Sequence, residues 1–279
     1  MVTPVTSDYK IDEGAVERIM ANLYANDVSP FIMGTTGESS SLSTAQKLDY
    51  LRVASKNKKS ETLLYAGISS NSLEESVDFA KRCFDEGIDA VAATLPSYYT
   101  LTDSQMKKYF ELLAEQIGGP LIIYNIPSTT HMSIPLDIIE ELSYHENIVA
   151  TKDSERGESR LNESTSLWAH RPDFSHFLGW AAKSAHALLN GSDGLIPSTG
   201  NLIPGLYNSM RLAVVDASQE QVYHYQHQSD LLGDLYQSGR TLGESLWALK
   251  VVMQEYGLCE ANVLPPLQPL SKLEEIRLK

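Results

Sequence analysis

Ile148-Val149-Ala150-Thr151-Lys152-Asp153 is a short apolar run that closes on a charge. Its length and its β-branched residues read as a buried strand. A lysine at the end of such a strand either emerges there, solvated or paired with Asp153, or enters an apolar pocket. In a pocket the ammonium loses hydration and the amine becomes a nucleophile. The run alone leaves both readings open.

Similar runs recur on either side: Val28 to Met33, Thr62 to Gly67, Ala90 to Thr94, Pro120 to Asn125, Phe174 to Gly179 and Gly194 to Pro197. Successive runs lie roughly 20–35 residues apart, enough for one strand and one crossover helix. The segments between them have helical period. Leu73, Val77, Ala80 and Phe84 fall on one stripe, and Gly87 follows as a stop. Ser43-Thr-Ala-Gln46 and Thr102-Asp-Ser-Gln105 have the spacing of capping boxes. With a first strand expected near Val2 to Thr6, the strands number eight, which predicts an α/β chain folded as a (β/α)8 TIM barrel. The main rival, a doubly wound open sheet, lacks its Gly-x-Gly-x-x-Gly turn after an early strand. After Pro204 the strands stop. Helices are expected over 205–217, 219–238 and 242–256, and the prolines at 265, 266 and 269 then end the helical pattern. The expected organisation is a barrel over 1–204 with a C-terminal helical extension, 205–279, packed on it as a single structural unit.

Composition narrows the function classes. The 279 residues are 42% apolar and 21% charged, as in ordinary globular chains. A net charge of −14 argues against a nucleic-acid partner. No apolar run reaches membrane-spanning length, and Met-Val-Thr-Pro begins without a basic and apolar leader, so a cytoplasmic chain with no membrane partner is expected. Cys83 and Cys259 fit no disulfide framework or metal spacing and read as packing residues. His224 and His227 share a helix face but have no third ligand nearby, so no metal is expected.

In a barrel the C-terminal ends of the strands carry the chemistry. One such end reads Gly34-Thr35-Thr36-Gly37-Glu38. Its glycines let backbone amides approach a ligand and its hydroxyls suit a carboxylate, or it is only a tight strand-to-helix turn. Other ends lead to Pro96-Ser-Tyr98-Tyr99, Tyr124-Asn-Ile-Pro127, Lys152 and the stretch from Asp193 through Ile196 and Ser198 to Asn201. A lysine, a tyrosine and a carboxylate-binding loop are what imine chemistry on a keto acid needs. The amine attacks the ketone and a phenol relays protons. Tyr124 alone could equally be a packed tyrosine.

As a set, Gly34-Thr-Thr-Gly-Glu, Tyr124-Asn-Ile-Pro, Lys152-Asp and Asp193-Gly stand in the order and approximate spacing of one family. The chain resembles the dihydrodipicolinate synthase and N-acetylneuraminate lyase family of pyruvate-dependent class I aldolases, from Thr3-Pro4 to Pro265-Pro266. The resemblance implies that Lys152 forms a Schiff base, that Tyr124 shuttles protons, and that Thr35 and Thr36 hold the pyruvate carboxylate. It also implies that Tyr98 completes a proton relay across a subunit interface in a homotetramer. Gly179, Ile196 and Ser198 become further candidate substrate contacts, and no cofactor is implied.

The departures bear on substrate. Dihydrodipicolinate synthases place an arginine where this chain has Thr129, and a threonine cannot make a bidentate carboxylate contact. Sialic acid lyases place an acidic pair where this chain has Ala181 and Ala182 after Gly179-Trp180. Arg156 either replaces the lost arginine from another direction or pairs with Glu155 or Glu158 on the rim. His131 stands where relatives usually have glycine, and it and Trp180 are candidates to line the mouth. The N-terminus is short for the family, so the first strand is expected to be abbreviated. The reading that follows is an aldolase or lyase acting on a 2-keto acid, with a 2-keto-3-deoxy sugar acid as the candidate. The alternatives are a dihydrodipicolinate synthase condensing pyruvate with aspartate semialdehyde, and a non-catalytic barrel that binds a keto acid.

Overall fold

A computed structural model describes residues 1–279 throughout. The elements run α1 (Glu13–Ala25), β1 (Phe31–Ile32), α2 (Thr44–Lys56), β2 (Tyr65–Gly67), α3 (Leu73–Asp85), β3 (Ala90–Ala93), α4 (Asp103–Ile117) and β4 (Leu121–Asn125). They continue with α5 (Pro127–Thr130), α6 (Leu136–Leu142), β5 (Ile148–Asp153), α7 (Glu158–Trp168), β6 (Ser175–Leu178), α8 (Ser184–Leu189) and β7 (Gly194–Leu195). Four helices close the chain: α9 (Pro204–Val215), α10 (Gln219–Gln237), α11 (Leu242–Glu255) and α12 (Lys272–Leu278). The alternation makes this an α/β chain with seven short strands. Its residues gather into two compact units, one of Tyr65–Pro197 and one of Met1–Leu64 with Ser198–Lys279.

In the Tyr65–Pro197 unit, β2 to β7 are parallel and follow one another in chain order. Every residue of β3 and β4 is buried, as strands covered on both faces require. One lateral row crosses four strands, from Tyr124 to Lys152 to Phe177 to Gly194. The helices between the strands form where sequence period and caps agree. Both expected capping boxes are made, at Ser43 with Gln46 in the other unit and at Thr102 with Gln105 here. On α3 the buried residues are Ser76, Val77, Phe79, Ala80 and Cys83, and Leu73 and Phe84 flank them half-buried. Gly87 takes φ +89°, and the Ile88 amide beyond it donates to Cys83 O at 3.0 Å, which ends the helix.

The other unit has α11 at its centre. Every residue from Ser245 to Met253 is buried, and all but Ser245 and Lys250 are apolar, so this stretch of helix is covered on all sides. Val2, Ile19, Leu23, Tyr236, Trp247, Leu249, Val251 and Met253 belong to its core. The three expected C-terminal helices occupy 204–215, 219–237 and 242–255. A fourth, α12, lies beyond the prolines, started by the Ser271 hydroxyl accepting from the Glu274 amide. The prolines interrupt the helical pattern without ending it. Both cysteines are buried, and burial pushes the Cys83 thiol up to about 12 and Cys259 up to about 11, as packing residues require.

The strand expected near Val2 to Thr6 does not form, and the count is seven rather than eight. Val5 makes one isolated antiparallel bridge to Ile11. The Met1 amino group donates to Phe31 O at 2.6 Å, and the Val2 amide donates to a side chain, Asn201 Oδ1, at 2.8 Å. A strand needs a run of backbone partners in register, and these donors are taken one at a time by unlike groups.

His176 on β6 has no exposed surface, and its Nδ1 lies 2.6 Å from Ser192 Oγ. Burial, and secondarily the Arg160 charge, lower its imidazole from 6.5 to about 4. Between those values the unfolded chain binds a proton that the folded chain refuses. Stability is therefore complete above pH 6.5 and falls as the pH drops toward 4, by about 3 kcal/mol from this group. His176→Gln should flatten this dependence. Urea unfolding at about pH 7 and about pH 4.5 checks it; the same acid loss in variant and parent would contradict the assignment.

Candidate active site

Strand alternation sorts the residues at the ends of β4 and β5. Tyr124 pairs in register with Lys152, and Asn125 with Asp153, so the two pairs face opposite sides of the sheet. Lys152 and Tyr124 are 6% and 5% exposed, and the Lys152 ammonium stands 3.8 Å from the centroid of the Tyr124 ring. An ammonium over a phenol face is attracted by the ring quadrupole, which offsets part of its lost hydration. The structure thus brings together the lysine and the tyrosine that the sequence singles out.

Asp153 does not serve as the partner considered for Lys152. Its Oδ1 accepts from Asn125 Nδ2 at 3.0 Å and from the Glu155 amide at 2.9 Å, and its Oδ2 accepts from Arg160 Nε at 2.7 Å. Glu155 Oε2 joins the cluster through Asn125 Nδ2 at 2.9 Å, Ser133 Oγ at 2.6 Å and Arg160 Nε at 3.3 Å. Asn125 Oδ1 in turn accepts the Ile134 amide at 3.1 Å. This network on the helix side of the sheet fixes the segments that follow Tyr124 and Lys152.

Gly179 and Ile196 lie at the same rim. The Gly179 amide donates to Asp153 O at 2.7 Å, and the Ile196 amide to Leu178 O at 2.8 Å, each extending a ladder one residue past its strand. A Cβ on Gly179 would come within 2.1 Å of Ser154 Oγ and 3.3 Å of Asp153 O, so the close approach of the two strand ends needs glycine.

The other candidates in this unit make contacts of their own. Tyr98 and Tyr99 are 78% and 74% exposed, edge to face at 4.9 Å, on a loop whose amides at Ser97 and Tyr98 donate to Asn71 Oδ1. Arg156 is exposed. The ion pairs considered for it are made by other cations, Glu155 with Arg160 and Glu158 with Lys183. Trp180 packs beside Leu161, Leu178 and Ala187, with the Lys183 ammonium 5.7 Å from its ring. His131 caps α5 at φ +58°, a left-handed position that explains the glycine usual there. Thr129 Oγ1 donates to Ile126 O at 3.3 Å.

In the other unit, Thr35 and Thr36 are half-buried in a tight turn, where the Gly37 amide donates to Gly34 O and the Glu38 amide to Thr35 O, both at 3.0 Å. Ser198 Oγ lies 2.6 Å from the Tyr236 hydroxyl, which also meets Thr199 Oγ1 at 3.0 Å. Sequence reading missed Arg160, and no local signal marks it: a lone arginine in the first turn of a polar helix resembles any solvated one.

A desolvated lysine beside a phenol, at the C-terminal ends of parallel strands, is the equipment of a carbon–carbon lyase of the class I aldolase type. The model of the Dihydrodipicolinate synthetase family matches residues 1–279, and the chain belongs to that family. Among curated relatives, the 4-hydroxy-tetrahydrodipicolinate synthase of Methanosarcina mazei is 27% identical over 281 aligned positions, covering 100% of this chain and 94% of that protein. The solved dihydrodipicolinate synthase of Bacteroides thetaiotaomicron superposes with a TM-score of 0.93 at 27% identity, covering 100% of this chain and 94% of the other. The structure of CdNal from Clostridium difficile in complex with mannosamine gives 0.88 at 26% identity, covering 99% and 94%. The chain is a pyruvate-dependent enzyme of this aldolase class.

Arg160 carries the structural weight of the network, with 14% of its side chain exposed against 4% for Asp153. Arg160→Met strands a buried carboxylate and should cost about 3–5 kcal/mol, read by urea unfolding. A loss under about 1 kcal/mol, typical of an exposed pair, would contradict this.

Proposed function

We propose that Lys152 forms a Schiff base with the keto carbon of pyruvate, or of a larger 2-keto acid, and that the enzyme makes or breaks the adjacent C–C bond. The observation that carries this reading is the Lys152 ammonium 3.8 Å from the Tyr124 ring centroid, with both residues buried. In the lyase direction the amine nitrogen bonds to the keto carbon, and the ketone oxygen leaves as water after two proton transfers. The protonated imine then draws the electron pair of the C3–C4 bond to form an enamine. The C4 hydroxyl loses its proton and departs as the carbonyl of an aldehyde. Protonation of the enamine at C3 and hydrolysis of the imine release pyruvate and restore the amine. Tyr124 is the group assigned to these proton transfers. Thr35 and Thr36 are assigned the carboxylate of the keto acid, and Gly179, Ile196, Ser198 and Arg156 the remainder of the substrate.

Tyr98 is assigned to the proton relay of a neighbouring subunit in a homotetramer, and its exposure supports that role. The finer fold reading is a (β/α)8 barrel over 1–204 with helices 205–279 packed on it, supported by the likeness to the solved relatives along the whole chain. A cytoplasmic setting goes with it; no helix is long and apolar enough to cross a membrane.

For substrate, a 2-keto-3-deoxy sugar acid is favoured. Thr129 is half-buried and its hydroxyl is bonded to its own helix, so it offers no cation to a second carboxylate. The second reading, condensation of pyruvate with aspartate semialdehyde, is favoured by the name of the Methanosarcina mazei relative.

A panel of 2-keto-3-deoxy acids assayed for pyruvate release separates them. At least one member should be cleaved by the parent and not by Lys152→Ala. Tyr124→Phe should lower kcat on it by about 10²–10⁴-fold, the usual worth of a general acid–base group. No release from any member, with efficient semialdehyde condensation, would overturn the first reading in favour of the second.

A further inference from the structure

Glu38 and Lys250 form an ion pair with no exposed side-chain surface, Nζ to Oε1 2.5 Å. A buried ammonium is tolerated only where its protons are bonded. Lys250 donates to Thr3 O at 2.7 Å and to Asn262 O at 2.7 Å, and the Glu38 carboxylate stands beside it as counter-charge. Glu38 Oε2 accepts the Leu264 amide at 2.7 Å. The pair therefore joins the N-terminal segment, α11 and the 262–264 segment to the residue that closes the Thr35–Thr36 turn.

The turn is constrained at its other points as well. Thr3 Oγ1 donates to Gly37 O at 2.5 Å. A Cβ on Gly37 would lie 3.1 Å from Met1 O and from Met33 N, so the chain passes here with no room for a side chain. Met33 and Glu38, on either side of the turn, hold φ of +54° and +53°, the left-handed region that non-glycine residues disfavour. Such conformations persist where the surroundings over-determine them, and they gather at ligand-binding sites. A well-packed apolar pair would serve stability equally well or better than a buried ion pair. What the charges supply here is a fixed geometry for Glu38, and with it for Thr35 and Thr36.

We infer that Glu38 and Lys250 are positioning residues that hold the Gly34–Glu38 turn in the conformation in which the Thr35 and Thr36 hydroxyls receive the carboxylate of the keto acid. The inference rests on the proposed role of those threonines. Neither charged side chain touches substrate in this account.

The half-saturating pyruvate concentration for borohydride trapping of the Lys152 imine is the readout, because it needs no second substrate. Glu38→Gln combined with Lys250→Met removes both charges at nearly constant volume and strands neither. This double variant should raise the half-saturating concentration about tenfold or more while trapping remains complete at saturation, the cost of a displaced binding group. Thr36→Val should do the same. Arg240→Met, which breaks the Arg240–Glu274 pair in the same unit without touching the turn, should leave it unchanged. A folded double variant with the parent's half-saturation, alongside a raised value for Thr36→Val, would overturn the positioning role alone. The parent's value in Thr36→Val would overturn the carboxylate role, and the inference with it. Should the double variant fail to fold, Glu38→Gln alone, which keeps an acceptor for the Leu264 amide, should still raise the half-saturation, and the parent's value there would overturn the inference.

Discussion

The site depends on keeping one ammonium out of water. Lys152 is the last residue but one of a six-residue strand, with 6% of its surface exposed, and burying an ammonium costs several kcal/mol before any compensation. The Tyr124 face, one residue across in register, returns about 2 kcal/mol or more of this. The fold holds it in place: β3 and β4 are buried along their whole length, and the Asn125–Asp153–Glu155–Arg160 network fixes the strand ends from the helix side. The opposite facing of Lys152 and Asp153, a consequence of pleating alone, keeps the structural carboxylate away from the Lys152 amine.

The same economy of buried charge appears in the other unit, used differently. Lys250 is more deeply buried than Lys152, and it donates to two carbonyls and is paired in charge with Glu38, which makes it a fixed point of the fold.

Much of this was legible in the sequence because it depends on local pattern. The runs that became β1 to β7, the capping boxes at Ser43 and Thr102, the stop at Gly87 and the three long C-terminal helices all express period, cap or backbone preference within about a dozen residues. The Lys152–Tyr124 pairing was reachable from the alternation of strands and helices together with the family resemblance. What escaped was set by distant partners. The first strand failed because Met1 and Val2 find a carbonyl and a side chain instead of a ladder. Arg160 and Lys250 look like ordinary surface cations in a helical segment until residues 7 and 212 positions away, Asp153 and Glu38, are placed beside them. Arg156, read from the sequence as either a substrate contact or a rim ion-pair partner, is exposed. His131 shows the converse: its substitution for a usual glycine was visible, and the reason, a left-handed φ, was not.

The central claim is that Lys152 is the nucleophile. Sodium borohydride added to the enzyme with saturating pyruvate, followed by intact mass and peptide mapping, tests it most directly. The account predicts one reduced pyruvate adduct per chain, on the peptide carrying Lys152, and none in Lys152→Ala. An unmodified chain at saturating pyruvate, or an adduct that maps to another lysine and survives in Lys152→Ala, would contradict it.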